Sequence, residues 1–419
     1  AFSDGVEFTE KLVFPYGRRT LSEKEQGALD NAFRLIFLLA GVSYYKTRIP
    51  AKLVCQAFPL DSALAAFGER VYRAGLAEFA FRNKVHLDFT FQTVNEAQPY
   101  PVTLDLPRRP LVPIGGGKDS IVTLEILREA GFDQTLIACG GDHLAAPIAQ
   151  TIQTSGLPHL HVRRTLSPKL MELNEQGALN GHVPITAILS SIVVACAILY
   201  GFDTVVLSNE SSANEPNVLF NGREVNHQYS KSLTFERDFN RIVQQTISPN
   251  LTYFSLLRPM TETAIAERFA KLKAYHTVFR SCNTAFKQDE AKRGKKWCSK
   301  CPKCRFVFLA LAPFISKGKL TSIFSANLFD DRRQIEGYKE LCGLSAHKPF
   351  ECVGEVSESA ALLLHLATMA EWKDELVVKT LAPLLSEAHP HAEETFQRLL
   401  KPSAEHQIPD PYLKALRDA

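Results

Sequence analysis

Gly115, Gly116 and Gly117 follow directly on the apolar run Leu111-Val112-Pro113-Ile114 and lead into Lys118-Asp119-Ser120. A glycine turn of this kind lets backbone N–H groups approach an anion with no Cβ in the way, and a helix opening at Ser120 aims its positive end at the same point. Behind the turn, Leu124, Leu127 and Ala130 recur at helical spacing and Gly131 stands where a C-terminal cap belongs. Strand and helix then alternate: 111–114, a helix to 130, 135–139, a helix around Ile148, 159–162, an apolar helix from Val183, and 204–207. This alternation predicts a parallel sheet with helices on both faces, whose ligands gather beyond the carboxyl ends of the strands.

Asp119 separates Lys118 from Ser120, so the turn is not the kinase-type Walker loop, in which Lys and Ser/Thr are adjacent. It resembles instead the PP-loop of N-type ATP pyrophosphatases, Ser-Gly-Gly-x-Asp-Ser, with Gly115 in the place of the first Ser. That resemblance implies ATP, cleaved between its α and β phosphates.

With 419 residues and 45% apolar side chains, the chain has material for two or three units. Residues 1–106 read as an α+β unit: Ser22 and Glu25 form a capping-box pair before the apolar segment 29–39, while Val85, Leu87, Phe89 and Phe91 alternate with polar neighbours as a half-buried strand does. Pro99, Pro101, Pro107 and Pro110 mark a stiff connection to the α/β unit at 107–320, and 321–419 is mainly helical, most clearly at 360–366 and 376–385. The segment 348–355 fits neither helix nor strand and reads as a structured loop.

A formal charge of +3 gives no global field for nucleic acid or an anionic membrane. Nine cysteines in so long a chain do not make a disulfide scaffold, and Ala1-Phe2-Ser3-Asp4 lacks a basic leader, so a reducing cytoplasm is the expected location. The apolar stretch 183–200 is short and carries Pro184, Thr186, Ser190 and Ser191, which favours a helix buried in the α/β core over a membrane span.

Cys298, Cys301 and Cys304 are spaced so that one tight turn converges three thiolates, and Cys282 can complete a four-sulfur set. A closed structural zinc site is expected, with an iron–sulfur cluster or unliganded thiols as alternatives and Cys342 or Cys352 as other fourth ligands. Around the cluster stand Lys287, Lys292, Arg293, Lys295, Lys296, Lys300, Lys303 and Arg305, diluted by Asp289 and Glu290. Such a run is usually a solvated face, though it can also meet a phosphate-rich substrate. With Phe286, Trp297 and Phe306 as the only aromatics for base stacking, a nucleic-acid partner is not expected.

After the 204–207 strand comes a polar stretch that includes Asn214, Glu215, Asn217, Arg223, Asn226, His227, Gln228, Tyr229, Ser230 and Lys231. It starts at the sheet edge where the glycine turn lies, and its amides, His, Tyr and Lys exceed what a connection requires. Together with Gly115 to Ser120, Gly181-His182-Val183-Pro184-Ile185, Trp297 to Cys304 and Lys348 to Glu355, it resembles the UDP-N-acetylmuramoyl-L-alanyl-L-glutamate epimerase family (MurL) over nearly the whole chain.

The resemblance implies ATP- and Mg²⁺-dependent inversion of the terminal L-Glu of UDP-MurNAc-L-Ala-L-Glu, a step toward peptidoglycan. The chemistry suits the loop. A carbanion beside a free carboxylate is strongly disfavoured, whereas an acyl-adenylate lets it delocalise as an enolate, and each pKa unit of C–H acidity is worth about 1.4 kcal/mol. Lys118 and Mg²⁺ are then expected to offset phosphate charge, Asp119 to hold the metal or its water, and Ser120 to donate to phosphate. His227, Tyr229, Lys231 and His182 are the candidate proton carriers. Asn214, Glu215, Asn217, Arg223, Asn226, Gln228 and Ser230 are candidate substrate contacts, with Lys231 and Arg237 as further cations for its carboxylates or diphosphate. The alternative is another PP-loop enzyme, of the 7-cyano-7-deazaguanine synthase or tRNA-modifying type, against which the large N- and C-terminal units weigh.

Overall fold

The computed structural model describes residues 1–17, 19–93, 101–220, 222–287, 290–294, 296–345 and 347–419. Pro99, Asp289 and Lys295 lie outside the described residues. Six strands form the central sheet: β1 (Lys11–Val13), β2 (Pro110–Pro113), β3 (Thr135–Gly140), β4 (His159–Thr165), β5 (Thr204–Leu207) and β6 (Thr252–Ser255). Their order is β1-β4-β3-β2-β5-β6, every neighbouring pair parallel except β1 with β4. The chain moves outward from β2 through β3 to β4, then returns to the other side of β2 for β5 and β6. The order therefore reverses between β2 and β5, where an open α/β sheet leaves a crevice beyond its carboxyl ends. The glycine turn leaves β2 at that crevice.

Helices cover both faces, which is why the inner strands read as continuous apolar runs. On one face Glu23–Ala40, Ser62–Gly75, Ile185–Tyr200 and Leu233–Thr246 bury Leu35, Leu39, Phe67, Ile192 and Phe239 against Leu111, Ile137 and Val205. On the other, Lys118–Glu129, Glu262–Lys271, Pro302–Leu311 and the helices of the C-terminal region pack around Val112, Leu136, Val206 and Phe254. The expected α/β class and helical C-terminal region are present. Ile185–Tyr200 is buried almost all round, and no helix among the described residues is long and apolar enough to cross a membrane.

The capping box forms as expected: Ser22 Oγ accepts from Glu25 N–H at 3.4 Å and Glu25 Oε2 from Ser22 N–H at 2.8 Å. The strand expected through 85–91 is shorter. Only Thr90–Gln92 pairs, with Lys52–Val54, because the carbonyls of Leu87 and Phe89 are taken by the Arg73 guanidinium rather than by a neighbouring strand. The alternation of exposure persists there, since it reports extended backbone and not the ladder itself. The 348–355 segment is an ordered loop with Lys348 and Val353 buried.

Candidate active site

The loop after β2 is closed to side chains at one point. Gly116 has φ +72°, and a Cβ there would stand 2.7 Å from the Pro147 carbonyl carbon and 2.9 Å from Ile148 N, so the turn requires glycine. Its carbonyl accepts from Arg280 N–H at 2.8 Å. Gly117 caps helix Lys118–Glu129 with no side-chain partner, which aims the first-turn N–H groups and the helix dipole into the crevice. At Gly115 an added Cβ would meet nothing within 4 Å.

Lys118 is 3% exposed, and its Nζ bonds to Asp119 and Glu262. Burial works against its charge, but the two carboxylates hold its pKa above the usual lysine range. Glu262, in the first turn of the helix capped by Thr261, has its pKa pushed up by burial, with Asp119 and Glu210 adding to the rise. Asp119, Glu210 and Glu262 line this pocket together with Lys118, Lys231 and Lys303, so three carboxylates supply the oxygen donors that Mg²⁺ favours and three ammonium groups supply charge for phosphates. Ser120 Oγ donates to Gly117 O at 3.1 Å.

That narrow pocket shares Gln228, Lys231 and Cys352 with a larger cleft lined by Lys46, Arg164, Asn180, His182, His227 and Ser230. Gln228 Oε1 is buried there with no hydrogen-bond partner among the described residues. His227 Nδ1 lies 2.5 Å from Glu78 Oε2, and the His182 ring sits 4.3 Å from that of His227. Burial opposes charge on His227, yet Cys352 and Glu78 outweigh it and carry the pKa up to about 9. His182 goes the other way, down to about 4, through burial and the neighbouring His227 charge. Although Glu78, His182 and His227 bring donor atoms within 4.8 Å of one another, His227 holds its proton between Glu78 and Cys352. Lys46 Nζ bonds to Asn180 and Gly181 O, and burial lowers its pKa to about 8.

The asparagines of the polar stretch hold loops together. Asn214 Oδ1 accepts from Leu233 N–H, and Asn226 joins Ala213 O to Gln228 N–H. Asn217 spans the two loops of the site, accepting His227 N–H at 2.9 Å and donating to Pro349 O at 2.8 Å. Glu215 pairs with Lys348 at 2.5 Å. Tyr229 packs edge-on against Phe235, with its hydroxyl pKa pushed up to about 12 by burial, and lines neither cavity. Arg223 lines a separate surface pocket with Arg73, His86 and Asp88, and Arg237 is exposed on helix Leu233–Thr246.

Cys282, Cys298, Cys301 and Cys304 bring their four sulfurs within 4.8 Å of one another, while Cys342 and Cys352 stand apart from the set. Sγ–Sγ separations are 3.6 Å for Cys298–Cys304 and 3.5 Å for Cys301–Cys304, close to the roughly 3.8 Å of a tetrahedron with zinc–sulfur bonds near 2.3 Å. Cys298 N–H donates to Cys282 Sγ at 3.4 Å, and Ser299, with φ +53°, turns the chain between Cys298 and Cys301. The cluster could hold a structural zinc. Sequence neighbours of the cysteines also bring it up to the glycine loop in space: Ser281, Lys303 and Phe306 line the narrow pocket, and Arg280 braces Gly116. Of the basic run, Lys303 faces this pocket, whereas Lys287, Lys292, Lys296 and Lys300 are exposed.

Several site residues carried no separate signal in the sequence. Glu78 and Glu262 look like ordinary helix carboxylates, and Arg258 like a surface cation. In the fold Arg258 is 1% exposed, paired with Glu236 at 2.7 Å and donating to the carbonyls of Glu210 and Lys231, so it fixes two walls of the pocket. Cys352 stood out in the sequence only as part of an irregular loop and as an alternative fourth ligand for the cysteine cluster, not as a wall of the pocket.

Residues 1–256 match the family model described as the MurL N-terminal domain, and residues 278–396 match the MurL C-terminal domain. Among similar proteins is the UDP-N-acetyl-alpha-D-muramoyl-L-alanyl-L-glutamate epimerase of Xanthomonas oryzae pv. oryzae, 44% identical over 90% of this chain and 84% of its own. The protein of the same name from a Micromonospora species is 43% identical over 99% of this chain and 92% of its own, and that from Salinispora tropica 43% identical over 92% and 84%. With both domains matched and relatives at this identity across its length, the chain belongs to the MurL family.

Proposed function

We propose that this chain inverts the terminal L-Glu of UDP-MurNAc-L-Ala-L-Glu to D-Glu, after ATP has converted the glutamate α-carboxylate to an acyl-adenylate with release of diphosphate. The observation that carries this reading is the shared wall between the pocket at the PP-loop and the long cleft, formed by Gln228, Lys231 and Cys352. A nucleotide on one side and an extended anionic substrate on the other would meet there.

The loop N–H groups and Lys118 bind the phosphates in this reading, and the cleft cations Lys46 and Arg164 receive the substrate's diphosphate or carboxylates. Asp119, Glu210 and Glu262 would hold Mg²⁺, which supplies charge neutralisation for the triphosphate. Once the carboxylate is masked, removal of the α-proton puts charge on an enolate oxygen. Lys231 at the shared wall and the protonated His227 beside it in the cleft would offset it, and His182, uncharged at neutral pH, can accept or relay a proton. Hydrolysis of the anhydride after reprotonation on the opposite face releases AMP and the D-Glu product.

Incubating the protein with ATP, Mg²⁺ and UDP-MurNAc-L-Ala-L-Glu in heavy water tests the proposal. AMP and α-deuterated D-Glu product are expected together; ADP, or AMP with no deuterium at the α-carbon, would remove it.

A further inference from the structure

Most of the chain's cysteines outside the metal cluster are inert by environment. Cys139, Cys196 and Cys342 are each pushed up by burial, as packed thiols are. Cys352 differs in every respect that matters. It lines both the pocket beside Lys118 and the cleft beside His182, and its Sγ accepts from Lys231 Nζ at 3.1 Å. The His227 ring reaches it as well, and Glu78 Oε2, 2.5 Å from Nδ1, holds that ring from behind. Asn217 fixes the spacing by bonding to the backbones of His227 and Pro349, one on each loop. A Glu–His–Cys array with a lysine at the sulfur is the arrangement that activates a thiol.

We propose that Cys352 is a catalytic residue of the epimerisation, its thiolate taking the α-proton of the activated glutamate. The proposal rests on the epimerase reading above. As the Cα–H bond breaks, the sulfur lone pair forms the S–H bond and the C–H electron pair moves into the acyl C=O, giving an enolate. The charge leaves the sulfur and appears on the enolate oxygen, so Lys231 and His227 remain beside one negative charge throughout. A second donor then protonates Cα on the opposite face and the carbonyl re-forms. Cys352 returns its proton to cleft water before the next cycle, and the second donor takes one back.

Burial disfavours the thiolate, but Lys231, Lys303 and His227 more than compensate and hold the thiol well below its usual range. Substrate and phosphate anions entering the cleft oppose that pull, raising the basicity of the sulfur when the substrate is in place.

Cys352→Ala and Cys352→Ser test this. α-Deuterium incorporation is expected to fall by about 10²–10⁴-fold, the range for loss of a general base, and by at least about tenfold more than the diphosphate–ATP exchange that depends on UDP-MurNAc-L-Ala-L-Glu. Deuterium incorporation by Cys352→Ala within about tenfold of wild type overturns the proposal alone. A wild-type protein that forms no AMP overturns the functional reading and the proposal with it. Should the variants fold poorly, iodoacetamide labelling of wild-type Cys352, read from its peptide by mass spectrometry, decides. A rate nearly flat between about pH 6 and 8 is expected of a stable thiolate, and one rising about tenfold per pH unit, as for an ordinary thiol, overturns the assignment.

Discussion

At the scale of single residues, the site is governed by charges that burial forces to pair. Lys118 and Glu262 are both nearly inaccessible, and removing Lys118 strands Glu262, whereas Lys118 has Asp119 as a second partner. Lys118→Met is therefore expected to cost about 3–5 kcal/mol in urea unfolding as well as turnover. Adding Glu262→Gln should restore most of that stability and none of the activity, and a single variant as stable as wild type would contradict the pairing. His227 makes a second prediction. Its folded pKa of about 9 exceeds the unfolded value of about 6.5, so its contribution to stability is complete below pH 6.5 and is lost as pH rises through 9. The groups facing it are Glu78, His182 and Cys352, with Lys231 beyond the sulfur. Between pH 6 and about 9.5 the urea midpoint of wild type should fall more steeply than that of His227→Gln. Parallel slopes would show that His227 titrates unshifted.

At the scale of elements, the glycine loop and the cysteine cluster work as one support. Arg280 braces Gly116 two residues before Cys282, and Lys303 and Phe306 flank Cys304 while facing the pocket. Cys301→Ser is expected to contain less zinc than wild type, to lower the thermal midpoint and, on the proposed function, to raise the KM for ATP more than it lowers kcat. Equal zinc contents in variant and wild type would refute the ligand set. These elements were legible because their signals are local: glycines before a helix, and thiols two residues apart. The Glu78–His227 and Lys231–Cys352 contacts join residues 149 and 121 positions apart, so no local pattern carries them. The same cause made 85–91 read as one strand. Alternating side chains mark extended backbone, and only the distant Arg73 decides whether its carbonyls find a ladder.

At the scale of the whole molecule, two apolar cores clamp the sheet, and strand order sets where the loop emerges. The sequence showed the β2–β5 alternation, but β1, three residues added antiparallel at the far edge, is too short to announce itself. The most remote part of the chain also bears on the site. Helix Asp410–Asp418 packs on helix Lys118–Glu129, with Tyr412 stacked on Phe132 at 4.5 Å and edge-on to Phe254 at 5.0 Å. The helix whose N-terminus opens at the glycine loop thus leans on the C-terminal segment. Tyr412→Ala removes a ring that is 8% exposed, and by analogy with other buried aromatics is expected to cost about 3 kcal/mol of stability. Because the lost contact lies behind the loop, ATP affinity should weaken in the same variant. Tyr412→Phe, which keeps the stack and loses only the hydroxyl's contact with Thr204, should match wild type in ATP titration and lose at most about 1.5 kcal/mol of stability. If Tyr412→Ala loses stability while binding ATP as wild type does, the C-terminal helix only covers the core, and the loop takes its position from the Arg280 side alone.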